Sequence, residues 1–402
     1  MTKDEWKSVE LDKAAALNPR LPISLSGDDQ VSFVPMSAVS AETSDVTEKE
    51  TRRYSEVSKG YTPFVTDDVL VAKITPCFEN GKIALARLQQ KAGFGSTEFH
   101  VIRALPDKLE PRYLLHFMRQ SWIRVAGERR MTGSGGQRRV PENFLAKLEI
   151  PLPPLAEQRR IAEVLDRAEV LRAKRRAALA ELDSLTQSLF LDLFGDPVTN
   201  PKWPEVMVSD FVAGFESGKS IVADDEDDTT SPYRVLKVSA VTSLEFRPEQ
   251  SKAMPPDYSP PPSHFVRTGD LLFSRANTAE LIGATAYVAS TPANLLLPDK
   301  LWRFVWHKTP KADPHFVRFL FQQPKFRREI GQRASGTSGS MKNISQEKVL
   351  TIKVGLPPIA LQQEFARRVG AVETLKAAQR TALAEQDALF ATLQHRAFKG
   401  EL

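Results

Sequence analysis

The sequence predicts an α+β protein: two mixed α/β domains separated by two long helices that form an antiparallel coiled coil, with a pseudo-twofold internal repeat. Three observations predict it. The chain repeats itself at about half its length, each copy ends on a heptad stripe, and short β-rich runs precede each stripe. Leu152-Pro153-Pro154-Leu155-Ala156-Glu157-Gln158 returns 204 positions later as Leu356-Pro357-Pro358-Ile359-Ala360-Leu361-Gln362. The same offset aligns Ala178-Leu179-Ala180-Glu181 with Ala382-Leu383-Ala384-Glu385, and Leu185, Leu189 and Phe194 with Leu389, Leu393 and Phe398. Upstream it pairs Ser134-Gly135 with Ser338-Gly339, and Val140 with Ile344. A slightly smaller offset relates Asp68-Val69-Leu70-Val71-Ala72-Lys73 to Asp270-Leu271-Leu272-Phe273-Ser274-Arg275. A period this long describes a duplicated module, not a solenoid.

Residues 1–150 form the first domain, 151–195 the central helix, 196–355 the second domain and 356–402 the C-terminal helix. Trp6 and Trp203 open the two copies. Val31-Ser32-Phe33-Val34, Val69 to Ile74 and Phe304-Val305-Trp306 read as strands; Arg112 to Gln120 and Pro314 to Gln323 read as short helices in matching places. The central helix carries Val164, Ala168, Leu171, Arg175, Ala178, Leu182, Leu185 and Leu189 at alternating spacings of four and three, a coiled-coil seam interrupted at Arg175. Its second copy reads Val372, Leu375, Gln379, Ala382, Gln386, Leu389 and Leu393. Pro153-Pro154 and Pro357-Pro358 mark the starts, because proline suits the first turn; Gly195-Asp196-Pro197 marks the first end. Each helix should run roughly 35–40 residues, or about 55–60 Å. Two seams in one chain pair most simply with each other. The pairing is antiparallel because the second domain must span from one helix's end to the other's start, which places the domains at opposite ends. Asp224-Asp225-Glu226-Asp227-Asp228 and the segment from Pro255 to Pro262 read as exposed loops, the acidic run lying away from any nucleic-acid face.

Composition and motifs narrow the chemistry. With 41% hydrophobic residues the chain is not disordered, and no segment approaches the ~20 apolar residues of a membrane span. The charged N-terminus lacks a signal peptide's apolar stretch, and the lone Cys77 excludes an intrachain disulfide or cysteine-rich zinc site. A soluble, cytoplasmic protein of a reducing compartment is expected. Ala213-Gly214-Phe215-Glu216-Ser217-Gly218-Lys219-Ser220 nearly matches a phosphate-binding loop. No helix signal follows it, and Glu216 would sit among the phosphates, so it reads as a turn. No acidic-x-Lys triplet follows Pro106-Asp107, Pro256-Asp257 or Pro298-Asp299, as a nuclease would require. The two Pro-Pro pairs lead into Leu155 and Ile359, not the aromatic of an amino-methyltransferase loop. The six histidines show no metal-ligand spacing and read as structural or solvated. No catalytic residue, cofactor site or metal site is expected.

Clustered basic charge remains. Net charge is only +5, so clustering decides. Arg119, Arg124, Arg129, Arg130, Arg138 and Arg139 surround Thr132-Gly133-Ser134-Gly135-Gly136, with Glu128 the only acid among them. Lys325, Arg327, Arg328, Arg333 and Lys342 surround Gly336-Thr337-Ser338-Gly339-Ser340, with Glu329 alone opposing them. Glycines let backbone approach a phosphate, amides and hydroxyls donate to it, and arginine grips phosphate or reads guanine.

These residues resemble the DNA-specificity subunits of type I restriction-modification systems. The matching text is Pro151-Leu152-Pro153-Pro154-Leu155-Ala156-Glu157-Gln158-Arg159-Arg160-Ile161-Ala162 with the helix after it, continuing from Phe194-Gly195-Asp196-Pro197 to Lys202-Trp203-Pro204. Gly269-Asp270-Leu271-Leu272-Phe273-Ser274-Arg275 and Ser335-Gly336-Thr337-Ser338-Gly339 look like family motifs too. The first half departs, with Asp67-Asp68-Val69 and Lys73 where the second has Gly269-Asp270-Leu271 and Arg275. The resemblance implies a non-catalytic subunit with two target-recognition domains, each reading half of a split double-stranded DNA sequence, spaced by a coiled-coil ruler. It implies methyltransferase subunits, two of them, that bring S-adenosylmethionine and adenine chemistry, and motor-nuclease restriction subunits that bring ATP-driven translocation and cleavage. The DNA-binding candidates are Lys73, Arg129, Arg130, Ser134, Gly135, Arg138 and Arg139 in the first domain. In the second they are Arg275, Arg327, Arg328, Thr337, Ser338, Gly339, Lys342 and Asn343. Alternatives are a DNA-modifying methyltransferase with divergent motifs, and a coiled-coil assembly adaptor without DNA contact.

Overall fold

The computed structural model describes residues 6–47, 50–134, 136–196, 198, 203–221, 227–336 and 341–402. It divides into two compact units, residues 1–178 with 379–402, and residues 179–378. The first unit holds a four-stranded antiparallel sheet in the order Ala15–Leu17, Phe99–Ala104, Val69–Ala72, Ile83–Leu85. A second sheet orders Glu50–Arg53, Gln30–Val34, Gly93–Gly95 and Thr62–Phe64, its middle pair parallel. The second unit repeats the plan. One sheet runs Val212–Ser217, Leu301–Trp306, Leu271–Ser274, Thr285–Tyr287; the other runs Ser251–Ala253, Arg234–Leu236, Leu295–Leu296, again with a parallel pair. Helices Pro111–Met118 and Ser121–Glu128 in the first unit have counterparts Pro314–Gln322 and Pro324–Arg333 in the second. The duplication read from sequence is therefore a duplication of topology.

Two repeated contacts explain repeated letters. Strand Val69–Ala72 is buried on both faces, which is why its run is uniformly apolar. The turn into it places Asp67 at φ 69°, where Gly269 takes φ 93° in the other unit. Aspartate tolerates the left-handed conformation better than most residues, so the sequence departure preserves the turn. The next residue does the same work in both copies. Buried Asp68 accepts from Arg103 Nε at 2.8 Å and Nη2 at 2.7 Å, and Asp270 accepts from Arg303 Nη1 at 3.0 Å. The glutamine of each Pro-Pro motif is also buried. Gln158 accepts from the Glu110 amide at 2.9 Å and donates to the Lys108 and Pro153 carbonyls; Gln362 accepts from the Asp313 amide at 2.9 Å and donates to those of Lys311 and Pro357. Each latches the start of a long helix to the loop that enters a short one.

The long helices span Leu155–Phe194 and Ile359–Phe398, 40 residues each. Within the first unit Arg160 reaches the Leu402 carbonyl, Arg172 reaches Asp387 at 2.6 Å and Arg175 reaches Gln379. Within the second, Asp183 meets Lys376 at 2.5 Å and the Phe190 and Phe365 rings lie 5.5 Å apart. Rising numbers on one helix meet falling numbers on the other, so the pairing is antiparallel in both units.

The covered face is not quite the one expected. Ala168, Arg175, Leu182 and Leu189 lie on it, but Leu171, Leu185, Leu375 and Leu389 are 52–56% exposed. Their C-terminal neighbours take the covered positions: Arg172, Thr186, Lys376 and Phe390. Three of those four are polar, so following the apolar residues selects a stripe one position too early. Arg172 is held in its place by pairing with Asp387 and Glu169 while lying over the Phe390 ring. Accordingly, Leu171→Ser and Leu185→Ser should each change unfolding free energy by no more than about 0.5 kcal/mol. Phe190→Ala, which empties a fully buried site, should cost roughly 3–5 kcal/mol. Urea unfolding distinguishes the two faces, and the reverse order would restore the stripe expected from sequence.

Candidate nucleic-acid interface

The basic residues sit around one backbone arrangement that occurs in each unit. In the first, strand Val69–Ala72 runs out into Lys73, Ile74 and Thr75, and the glycine-rich loop returns alongside. The Val140 amide donates to the Lys73 carbonyl at 2.9 Å, the Thr75 amide donates to the Arg138 carbonyl at 2.9 Å, and Thr132 and Arg139 exchange amide bonds of 3.0 and 2.8 Å. In the second, the Ile344 amide donates to the Arg275 carbonyl at 3.0 Å, and Ser335 and Asn343 exchange bonds of 2.8 Å each. Ala276–Asn277 then pairs with Lys342–Asn343. Gly133 (φ 123°) and Gly336 (φ 140°) open the two loops, and a Cβ there would stand 2.7 Å from the Gln137 carbonyl oxygen or 2.5 Å from that of Met341. Only glycine fits both the dihedral and the approach.

The side chains divide into those facing outward and those that hold the scaffold. Arg129 caps the helix Ser121–Glu128 and is exposed, as are Ser134 and Arg328. Arg130 bonds the Ala126 carbonyl and lies 5.3 Å from the Phe144 ring centre, with its surface open. Lys73 and Arg138 are half-buried, Arg138 standing 3.7 Å from Glu79. Arg139 is committed elsewhere: its Nη2 and Nε grip Glu98 at 2.8 to 3.2 Å, and this guanidinium holds the Glu98 carboxyl below the usual range. Arg275 Nε donates to the Asp299 carbonyl at 2.8 Å, Lys342 Nζ to that of Gly336 at 3.0 Å, and half-buried Arg327 to that of Glu280. Asn343 acts through its backbone. Gly135, Thr337, Ser338 and Gly339 lie outside the described residues. Arg119, part of the basic run, turns to Glu169 on the central helix.

Sequence reasoning missed Glu98 and His100. Burial depresses the His100 pKa, and the ring bonds the Val140 carbonyl at 2.9 Å, propping the loop's exit. His116 is likewise buried and held by Asp166 at 2.8 Å. The near phosphate-binding segment is strand Val212–Ser217, and among the described residues 218–221 that follow it none is helical; Gly218 is required because a Cβ would meet the Leu297 carbonyl oxygen at 1.9 Å. Among the described residues no three His, Cys, Asp or Glu side chains group as metal ligands, and no helix is long and apolar enough to cross a membrane.

Comparison with known proteins gives this surface its context. Residues 3–180 match the family described as "Type I restriction modification DNA specificity domain". The chain is 26% identical to the EcoEI type I restriction enzyme specificity subunit of Escherichia coli, over 96% of this chain and 82% of that protein. It is 41% identical to the EcoAI specificity subunit of the same species over 39% of this chain and 27% of that protein. A chain solved in work on complex assembly and conformational transition of the type I R-M system shares the fold. Its TM-score is 0.56 at 20% identity, covering 99% of this chain and 98% of that one. The first half thus carries a DNA-specificity domain, and the whole chain is related to specificity subunits of type I restriction enzymes, which are non-catalytic.

The loop's construction is testable without DNA. Gly133→Ala should cost the loop about 1–3 kcal/mol, because alanine cannot adopt φ 123° there without strain. Faster amide exchange at Thr132 and Arg139, with core protection retained, is the expected result; unchanged exchange would contradict it. The depressed Glu98 pKa adds a pH dependence. Its support is full above the ordinary glutamate value, about 4.3, and is lost as pH falls through the lower folded value.

Proposed function

We propose that this chain, carrying a type I restriction modification DNA specificity domain in its first half, reads a double-stranded DNA target in two halves. Each unit reads one half-site, and the paired helices set the gap between them. The observation that carries the reading is the loop arrangement found twice, with Lys73 and Arg275 at equivalent strand ends and a glycine-opened basic loop beside each. In the first unit Arg129, Arg130 and Ser134 supply outward-facing donors, and the half-buried Lys73 and Arg138, with Gly135, complete the candidate set. In the second, Arg328 faces outward, Arg275 and Asn343 hold the strand-end pairing, and Lys342, Thr337, Ser338 and Gly339 complete the candidate set. Arg139 and Arg327 act by positioning.

The chemistry belongs to partners. Two methyltransferase subunits would supply S-adenosylmethionine and methylate adenine, and motor-nuclease subunits would translocate and cleave, all in the cytoplasm. The exposed Leu171 and Leu389 in one unit, and Leu185 and Leu375 in the other, give such subunits an apolar surface to dock on.

Two experiments test the reading. Arg129→Ala and Arg130→Ala should weaken DNA binding and lower the slope of log affinity against log salt by about 0.9 for each phosphate no longer neutralised. An arginine that reads a base should instead relax selectivity at one position by roughly 1–3 kcal/mol. An unchanged slope with unchanged selectivity would remove this patch from the interface. The second experiment inserts four residues after Ala178. That lengthens one helix by roughly 6 Å, close to two base pairs at ~3.4 Å each, and keeps approximate register as a stutter. Methylome sequencing should then show a longer gap between unchanged half-sites. An active complex with the original gap would leave the helices as a docking platform only.

A further inference from the structure

The glycine loop of the first unit returns along residues 136–139, and the side chains there divide sharply. Gly136 takes φ 75° and has none. Arg138 and Arg139 are half-buried, standing against Glu79 and Glu98. Gln137, just before them, is exposed, and no hydrogen bond joins its side-chain amide to another described residue. Its backbone, by contrast, is fixed on both sides. The Gln137 amide donates to the Ser134 carbonyl at 3.2 Å, and its carbonyl accepts from Arg139 Nη1 at 3.1 Å. Arg139 is itself clamped by Glu98, the residue before strand Phe99–Ala104, whose carbonyl accepts from the Lys73 amide at 2.8 Å. A chain of polar contacts thus runs from the antiparallel sheet through Glu98 and Arg139 to the backbone of Gln137. It leaves that residue a fixed stem and a free tip.

The second unit has the same backbone arrangement without this apparatus. A Cβ at Gly336 would meet the Met341 carbonyl oxygen as one at Gly133 would meet that of Gln137, so Met341 holds the place of Gln137 and is exposed as well. Asn343, bonded to Ser335, holds the place of Arg139, bonded to Thr132. The residue before strand Leu301–Trp306 is Lys300, whose carbonyl accepts from the Arg275 amide at 3.1 Å, where the first unit has Glu98. Acid, arginine and carboxamide therefore occur together in one copy, and all three are replaced in the other. A clamp needed only for the loop's shape would serve both copies, because both make the same strand-end bonds. Its restriction to the copy that carries the carboxamide points to that group.

We infer that Gln137 reads an adenine in the major groove of the first unit's half-site, presented there by the Glu98–Arg139 pair. The inference rests on the DNA-specificity reading above and names the base at one position of it. A carboxamide sets a donor beside an acceptor, which matches the N7 acceptor and N6 amino donor of adenine in two parallel bonds. Being neutral, it releases no counterion, so beside Arg129 and Arg130 it is a poor grip on phosphate. The fixed stem reduces the ordering cost of the contact. Met341 has no donor to offer, so this readout belongs to the first unit alone.

The test uses the full chain assembled with methyltransferase subunits and a library of randomised duplexes, selected by binding and sequenced. Gln137→Ala, at an exposed site, should relax one position of one half-site, where the unaltered complex selects adenine, by roughly 5- to 150-fold. The other positions and the slope of log affinity against log salt should stay as they were, because no charge is lost. Arg139→Gln should relax the same position, and adding it to Gln137→Ala should relax that position no further. Arg139→Gln without effect there overturns the clamp. Unchanged selectivity in Gln137→Ala, a loss shared by all sequences, or relaxation where another base was selected overturns the adenine contact; a split target still selected by the unaltered complex then leaves the DNA reading intact. No selection of any sequence by the unaltered complex overturns both.

Discussion

Each unit's core is completed by the far end of the other repeat's helix, and the rest of the molecule depends on that exchange. Phe390, Leu393, Ala397 and Phe398 pack into the core built by residues 11–165, with the Phe398 ring 4.9 Å from Tyr113 and 5.5 Å from Phe117. Phe190 and Phe194 enter the second core, where Phe190 stacks on Phe316 at 5.7 Å and meets Phe365 at 5.5 Å. Neither half of the sequence closes its own core. Aromatic burial on this scale dominates packing energetics, so the antiparallel pairing is a condition of folding and not an ornament added to finished domains.

In each unit polar contacts join the aromatic ones along the helix pair. Arg172, Arg175 and Arg176 face Asp387 and Gln379 in one unit, and Lys376 gathers Asp183, Glu373 and Glu245 in the other. Partly buried ion pairs contribute little net stability once desolvation is counted, but an unpaired charge at such a place is costly. A slip of one heptad would strand these groups. Within each unit the polar contacts therefore favour one alignment, while the buried phenylalanines supply the affinity.

Much of this is legible in the sequence, for identifiable reasons. The repeat, both helix starts and the strand before Lys73 rest on local signals: proline pairs, heptad spacing and an uninterrupted apolar run. Part of the covered face lies one position away from the apolar stripe because Arg172, Thr186 and Lys376, beside the exposed Leu171, Leu185 and Leu375, hold places where hydrophobicity alone expects leucine. The division of the basic clusters cannot be read from the letters at all. Arg139 finds Glu98 and Arg119 finds Glu169, partners 41 and 50 residues away that only the folded sheets and helices bring near. The glycine loops stand out by composition; their physical requirement, φ 123° at Gly133 and 140° at Gly336, is visible only in the backbone.

The central claim is that one polypeptide, through two copies of one scaffold, specifies two short DNA sequences at a fixed separation. Mapping modified adenines across the DNA of cells that express this chain with its methyltransferase subunits tests it most directly. The account predicts two constant short sequences divided by a gap of constant length and arbitrary composition. A single uninterrupted recognition sequence, or modification without sequence preference, would contradict it.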